Sequence, residues 1–291
     1  MKEAHVQRGL LIAFCGGFIL SFDTMLLRLV NSDPIQMSFW RGILMFASGL
    51  LFSLTLTRFG RRSTFSLVNG PIGLFVAAIY GVASVSFVAS AMLTSIANML
   101  VIIATAPLWA AIGAVFILKE NAPARTWMAS GTALIGVALV VGPGFFSRPN
   151  LGDMLALVTA FSMAGAFVLA RRASANLALA PATGGLLSAI ALAPFVPQFA
   201  FARPDQLLLI GFEGLVLVPL ALGLIAMAPR YLPAPQVGLF LLLETVLGPL
   251  WVWSLLGEQP TGHALIGGAI VVLTLLAHSA CSIRMARLRP D

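Results

Sequence analysis

The feature that most constrains this chain is the length of its uncharged segments. Residues 63–118 are 56 consecutive positions without Asp, Glu, Lys or Arg, and residues 173–202 are another 30. A transmembrane helix needs about 20 predominantly apolar residues, so the first segment alone is long enough for two spans. Charged residues make up 9% of the chain, against about 25% in a typical soluble domain. The sequence therefore predicts a polytopic membrane protein.

Apolar segments separated by charges, Pro or Gly predict ten transmembrane helices. In the first half they lie at 9–30, 35–57, 69–89, 94–118 and 123–141. In the second half they lie at 152–170, 181–201, 206–228, 235–256 and 262–283. Asp33 and Pro34 precede the second helix as an N-cap acceptor and a first-turn proline. No small-x-small cleavage site precedes Asp23, which favours an uncleaved first span over a secretory signal.

Basic residues orient these helices. With the N-terminus inside, 13 of the 17 Lys and Arg residues fall at inner helix ends and loops, and two fall outside, at Arg148 and Arg203. This positive-inside bias predicts that both termini are cytoplasmic. The predicted location is a bacterial-type inner membrane. The inner set is Lys2, Arg8, Arg58, Arg61, Arg62, Lys119, Arg125, Arg171, Arg172, Arg230, Arg284, Arg287 and Arg289.

The two halves are related by a weak internal repeat. Aligning residue 9 with residue 152 gives identities at Gly9/Gly152, Ala13/Ala156, Phe18/Phe161, Leu26/Leu169 and Arg28/Arg171. We predict repeats at 1–145 and 146–291. Five helices per half is an odd number, so the halves would be inverted in the membrane. The predicted fold is an all-α membrane protein with ten transmembrane helices in two inverted five-helix repeats around a central cavity, an arrangement suited to alternating access.

Five short motifs carry a family resemblance. They are Phe39-Trp40-Arg41, Thr105-Ala106-Pro107-Leu108, Leu118-Lys119-Glu120, Leu243-Glu244-Thr245 and Leu256-Gly257-Glu258. Together they resemble the EamA-type members of the drug/metabolite transporter superfamily over nearly the whole chain. The resemblance implies two inverted five-helix bundles around a central cavity and the export of amino acids or related metabolites. The chain departs from the family pattern with Thr245 where Pro is frequent and Lys119 where Gly is usual.

Four ionisable side chains, at Asp23, Arg41, Glu213 and Glu244, lie inside predicted spans. A charge at the bilayer centre costs about 2.5–3.5 kcal/mol on insertion scales, so each should face a cavity or a partner. Counted at about 1.5 Å per residue, Asp23 and Arg41 are both about 9–11 Å deep on consecutive antiparallel helices. One interpretation is a structural ion pair. The other is that Arg41 binds a substrate carboxylate while Asp23 is freed. Asp23 is also, with Glu244, a candidate for proton coupling.

The two glutamates also have two interpretations each. Glu244 shares a face of the ninth helix with Phe240, Gly248 and Trp251, and we predict that Glu244 and Trp251 line the cavity. Because a dry setting disfavours the charged carboxylate, Glu244 is either a proton carrier or ammonium binder, or a protonated group bonded to another helix. Glu213, in the outer part of the eighth helix, is either a cavity residue or an outer-vestibule charge reached by water.

Two polar and aromatic stripes are predicted to line the cavity. The stripe on the fourth helix comprises Thr94, Asn98, Thr105 and Trp109, and a weaker one on the third comprises Tyr80, Ser84 and Phe87. The alternative for both is ordinary hydrogen bonding between helices. Prolines inside three helices remove backbone hydrogen bonds and predict bends that either gate the cavity or fit the packing. These prolines are Pro107, Pro219 and Pro249.

Several common catalytic and nucleotide-binding motifs are absent from the sequence, which argues against some classes of function. The chain has no phosphate-binding loop with the pattern G-x-x-x-x-G-K-[ST], no H-E-x-x-H and no G-x-S-x-G, so it lacks the common signatures of ATP-driven transport and of metal or serine hydrolases. Two cysteines give no metal or disulfide framework. We predict no cofactor, no metal and no nucleic-acid partner.

The predicted function is secondary export of small metabolites across the lipid bilayer, with amino acids as the best substrate class. An exporter of cationic drugs is the first alternative, because the buried groups comprise three acids and one base. An integral-membrane enzyme acting on lipid and a passive channel are further alternatives. The sequence leaves both a monomer and a homodimer open.

Overall fold

The computed structural model describes residues 2–30, 32–58, 66–94, 96–120, 122–141, 150–173, 176–196, 204–256 and 262–288. Within these ranges the chain forms α-helices joined by short connections. The helices of the first half are α1 (Lys2–Leu20), α2 (Asp23–Val30), α3 (Pro34–Arg58), α4 (Gly70–Leu93), α5 (Ile96–Ile103), α6 (Ala106–Gly113) and α7 (Ala124–Val141). Those of the second half are α8 (Leu151–Arg172), α9 (Ala180–Leu192), α10 (Pro204–Phe212), α11 (Val218–Met227), α12 (Ala234–Leu256) and α13 (Gly262–Leu288).

Many of these helices have the length and composition of membrane spans. Across the described ranges, seven segments qualify: Ala4–Val30, Pro34–Leu56, Gly70–Leu93, Met99–Leu118, Leu151–Arg172, Pro204–Arg230 and Leu265–Met285. Two shorter apolar helices are Ala180–Phe195 and Ala234–Gly248. The chain is therefore an all-helical, multi-pass membrane protein. The predicted boundary between the repeats, at 145 and 146, lies outside the described residues.

Some predicted helix ends are wrong, and the structure gives the reasons. The third helix ends at Leu93, not Ala89, and the fourth begins at Ile96, not Thr94. Thr94 adopts an extended backbone, its N–H donates to the Ser90 carbonyl, and its hydroxyl binds another helix. The predicted seventh helix, 181–201, corresponds to α9, which ends earlier, at Leu192. Because Pro194 has no N–H to continue the regular pattern, a 3₁₀ turn, Ala193–Phe195, follows the last turn of α9. The predicted cap on the second helix is confirmed, since Asp33 Oδ1 accepts hydrogen bonds from the N–H groups of residues 35 and 36.

Polar contacts join α4 to α8. Ser86 Oγ lies 2.7 Å from Thr159 Oγ1, and Ser90 Oγ donates to the Gly152 carbonyl at 2.8 Å. One turn further, Thr94 Oγ1 donates to Asp153 Oδ1 at 2.6 Å. Successive turns of α4 thus bind α8 through hydroxyl groups, which is how polar residues associate helices where lipid supplies no hydrophobic driving force.

Two glycines let α9 pack against the backbones of both α3 and α4. A Cβ atom at Gly184 would meet the Ala77 carbonyl and lie 2.8 Å from the Gly81 nitrogen. A Cβ atom at Gly185 would lie 2.8 Å from the Gly42 carbonyl oxygen. No side chain fits at either position without moving backbone, so these helices approach each other as closely as small residues permit.

Two spans are interrupted near their middle. The first break, at Ser21 and Phe22, separates α1 from α2. The second break, at Ala104 and Thr105, separates α5 from α6. Discontinuous helices are a common setting for binding sites in transporters, because they bring polar groups to the middle of the membrane.

Candidate functional site

A cavity of about 40 Å³ lies where eight helices meet. Its polar residues come from α2, α3, α4, α8 and α12: Asp23, Arg41, Tyr80, Ser84, Thr159 and Glu244. The rest of the wall is apolar: Leu20, Ala83, Phe87, Ile103, Met163, Leu222 and Leu241. A mostly apolar cavity with a few convergent polar groups is typical of a small-molecule site.

The predicted pairing of Asp23 with Arg41 is confirmed, and its geometry is bidentate. Arg41 Nη1 donates to Asp23 Oδ1 at 2.9 Å, and Nη2 donates to Asp23 Oδ2 at 2.7 Å. Asp23 is fully buried and Arg41 is 2% exposed. Parallel N–H bonds from a planar guanidinium fix both partners in position.

A second acid completes this cluster. Glu213 Oε1 accepts a hydrogen bond from Arg41 Nη1 at 2.6 Å. The interpretation of Glu213 as an outer-vestibule charge is wrong, because its side chain is fully buried. Its other oxygen, Oε2, has no partner among the described residues. Glu213 pairs with Arg41 but is not among the residues that line the cavity.

An irregular turn carries Glu213. Residues Glu213–Leu217 form a π-helical turn between α10 and α11, in which the Val218 N–H donates to the Glu213 carbonyl. Pro219 follows at the start of α11 and has no N–H to continue the regular pattern. Single π-helical turns occur frequently at functional sites. Here the turn places a carboxylate beside Arg41.

Glu244 lies on the cavity wall with a neutral partner. Its Oε1 accepts a hydrogen bond from the Thr24 hydroxyl, which joins α12 to α2. The side chain is buried, and no ion pair involves it in the described part of the chain. The site thus contains one carboxyl separated from the guanidinium and two bound to it.

The first break positions these groups. Ser21 Oγ donates to the Phe18 carbonyl at 2.6 Å and accepts from Trp251 Nε1 at 2.9 Å. The Phe22 ring stacks on Trp251 with centroids 4.3 Å apart. Asp23 then falls in the first turn of α2, where the free N–H groups of a helix favour a negative charge. Trp251 supports the break but is outside the cavity lining.

The stripe on α4 lines the cavity. Tyr80, Ser84 and Phe87 all contribute to its wall. The Phe87 ring lies 5.7 Å from Arg41 Cζ, within range of a cation–π interaction. The Tyr80 hydroxyl is buried and has no hydrogen-bond partner among the described residues.

The prediction that the stripe on the fourth helix lines the same cavity is wrong for Thr105 and Trp109. Thr105 and Trp109 are outside the lining set; Trp109 Nε1 donates to Thr105 Oγ1 at 3.0 Å, and its ring lies 4.2 Å from that of Phe161. Thr105 instead borders a crevice beside α7 and α8. The side chain of Asn98 lies outside the described residues.

The three prolines differ in their surroundings. Pro107 and Pro219 both lie in the first turn of a helix, directly after the second break and the π-helical turn. Pro249 falls within α12, which is continuous, and its side chain lies outside the described residues. Two of the three thus coincide with an irregularity of the backbone.

Comparisons with known proteins agree with this architecture. A family model described as the EamA-like transporter family matches residues 7–142 and 150–279. A crystal structure of another protein aligns over 94% of this chain and 98% of its own, with a TM-score of 0.76 and 17% identity. That likeness shows the fold alone.

Two curated relatives match part of the chain. The riboflavin transporter of Vibrio cholerae serotype O1 is 29% identical over 180 residues, covering 59% of this chain. The uncharacterized transporter YdfC of Bacillus subtilis is 26% identical over 178 residues, again covering 59% of this chain. The match spans 58% of the length of each relative.

Proposed function

Because the chain belongs to the EamA-like transporter family, we propose that it exports amino acids with apolar side chains by alternating access. The family and the names of both relatives indicate a transporter rather than an enzyme. The substrate, the direction of transport and the roles of individual residues are parts of the proposal.

The proposed topology is ten spans in two inverted repeats, at 1–145 and 146–291. The family model matches once in each half, which supports the division. Besides the seven long spans and the two shorter apolar helices, α7 has 18 residues. Helix α4 packs on α8, and α11 packs on α1, so the third span of each half packs on the first of the other. Such reciprocal packing is expected of a pseudo-two-fold axis. The positive-inside bias supports cytoplasmic termini in an inner membrane.

The observation that carries the substrate proposal is the separation of charges in an apolar cavity. Arg41 offers a guanidinium for a carboxylate, and Glu244 offers a carboxyl for an ammonium group. Leu222, Leu241 and Met163 provide an apolar wall for a side chain. An amino acid combines these three features, and leucine is a suitable probe.

Other substrates make different demands on the same cavity. Riboflavin, suggested by the name of one relative, has a large ring system that Tyr80 and Phe87 could stack against. Riboflavin has no charge to pair with the buried ions, which favours the amino acid. A cationic drug would use the acids and leave Arg41 without a role beyond holding two of them.

Flux in proteoliposomes tests the substrate class. We expect saturable counterflow of radiolabelled leucine, inhibited weakly by isopentylamine, which lacks the carboxylate, and by 4-methylpentanoate, which lacks the amine. Protein-free liposomes are the control. Counterflow of isopentylamine or riboflavin without any for leucine would refute the amino-acid proposal.

We also propose that Glu244 couples transport to protons. A substrate ammonium that binds Glu244 replaces its proton, so substrate and proton move in opposite directions. We expect an imposed pH gradient to drive leucine flux in the wild type but not in Glu244→Gln. Glu120→Gln, at an exposed carboxyl, is the matched control and should respond like the wild type. An equal response of Glu244→Gln to the gradient would exclude Glu244 as the carrier.

A further inference from the structure

One edge of the Arg41 guanidinium has no hydrogen-bond partner within the part of the chain that the structure describes. A guanidinium carries five N–H donors in a rigid plane. Asp23 and Glu213 take three of them, two from Nη1 and one from Nη2. The other two, on Nε and Nη2, lie in the plane and point outward along the same edge, and Nε has no partner among the described residues. Two parallel donors on one edge match the two oxygens of a carboxylate.

A second unpaired donor belongs to the same cavity. The Tyr80 hydroxyl is buried, with 2% of the residue exposed, and within the described chain nothing bonds to it. Both Tyr80 and Arg41 contribute to the cavity wall. A buried polar group without a partner costs about 1–3 kcal/mol, and native proteins contain few of them. A carboxylate bound in this cavity would offer acceptor oxygens to both residues.

We propose that the free edge of Arg41 and the hydroxyl of Tyr80 form the carboxylate subsite of the cavity. This inference rests on the proposed function, because it states how the cavity recognises an amino acid. Asp23 and Glu213 stay bonded to Arg41 while the substrate is bound, and they hold the guanidinium in a fixed orientation. The substrate carboxylate therefore adds to the ion cluster and does not displace Asp23. Tyr80 is a specificity-determining residue that selects for the carboxylate.

The variant Tyr80→Phe isolates the hydroxyl. It keeps the ring and removes an oxygen that makes no hydrogen bond to any described residue of the free protein. We expect its affinity for leucine, measured by counterflow, to fall about 10- to 100-fold, as for loss of a hydrogen bond to a charged group. Its affinity for isopentylamine should stay within about twofold of the wild-type value. Without ligand, its thermal unfolding midpoint should equal or exceed that of the wild type.

The chain provides a matched control. Its second tyrosine, Tyr231, packs against His5 and Arg8 and is not among the cavity residues. Tyr231→Phe should leave the leucine affinity unchanged. Three outcomes would overturn the subsite: an unchanged leucine affinity in Tyr80→Phe, equal losses for leucine and isopentylamine, or a lower unfolding midpoint, which would mean that the hydroxyl has a partner in the free protein.

The design also separates this inference from the proposed function. If the wild type carries leucine and Tyr80→Phe retains full affinity, the subsite is wrong and amino-acid transport stands. If the wild type carries neither leucine nor isopentylamine, both proposals are wrong.

Discussion

The two helix breaks have the same pattern of hydrogen bonds, but only the first contributes polar residues to the cavity. In the first, the Ser21 hydroxyl donates to the carbonyl three residues earlier at 2.6 Å and accepts from the indole N–H of Trp251 at 2.9 Å. In the second, the Thr105 hydroxyl does the same with Ile102 and Trp109, at 2.6 and 3.0 Å. At both breaks, therefore, a hydroxyl group donates to a backbone carbonyl of the preceding turn and accepts a hydrogen bond from a tryptophan.

What differs is the sequence that follows each break. Asp23 and Thr24 follow the first, and they bind Arg41 and Glu244 at the cavity. Ala106 and Pro107 follow the second, and neither offers a side-chain hydrogen bond. The irregular backbone alone therefore does not make a binding site. The polar residues in the first turn after the break do.

The largest contrast should come from changing the residue after each break. Asp23→Asn leaves Arg41 without its bidentate partner, and removing one member of a buried ion pair costs about 3–5 kcal/mol. We expect a much lower thermal unfolding midpoint in detergent and loss of leucine counterflow. Pro107→Ala, the matched change after the second break, should retain counterflow. Loss of counterflow in both variants would break the contrast.

An intermediate effect is expected from the two tryptophans. Trp251→Phe and Trp109→Phe each remove one indole hydrogen bond, worth about 1 kcal/mol, so both should lower the unfolding midpoint by similar small amounts. Only Trp251→Phe should reduce leucine flux, because Ser21 is two residues from Asp23. Equal reductions in flux would mean that the second break also contributes to transport.

The smallest effect concerns the end of the span that contains the second break. Lys119 has a left-handed backbone, with φ 56°, a conformation that Gly adopts without strain. The absence of strain stabilises the folded state of the Gly variant, but Gly also makes the unfolded chain more flexible, which offsets part of the gain. We therefore expect Lys119→Gly to raise the free energy of unfolding by about 0.5–1 kcal/mol. The unfolding midpoint measures it, and leucine flux should not change. A lower midpoint would show that the Lys side chain stabilises this end.

The sequence predicted the parts of this molecule that depend on composition and on neighbouring helices. Apolar length predicts an all-helical membrane protein, and equal depth on consecutive antiparallel helices predicts the pairing of Asp23 with Arg41. Both follow from short-range information. The cap at Asp33 is predicted for the same reason.

The rest depends on packing between distant segments. Glu213 is 172 residues from Arg41 in sequence, and a π-helical turn alters the direction of its side chain relative to a regular helix. Pro219 was a usable signal for that irregularity. The stripes on the third and fourth helices look alike in sequence, and only the tertiary arrangement brings Tyr80 to the cavity and pairs Trp109 with Thr105.

The backbone contacts at Gly184 and Gly185 have a consequence for where motion can occur. Because α9 touches the carbonyl groups of both α3 and α4, relative sliding of these three helices would force peptide groups past one another. They should travel as a single block, so spin labels placed on any two of them should report one unchanging distance through the proposed transport cycle. Displacements would instead be recorded between this block and helices whose contacts are made by side chains.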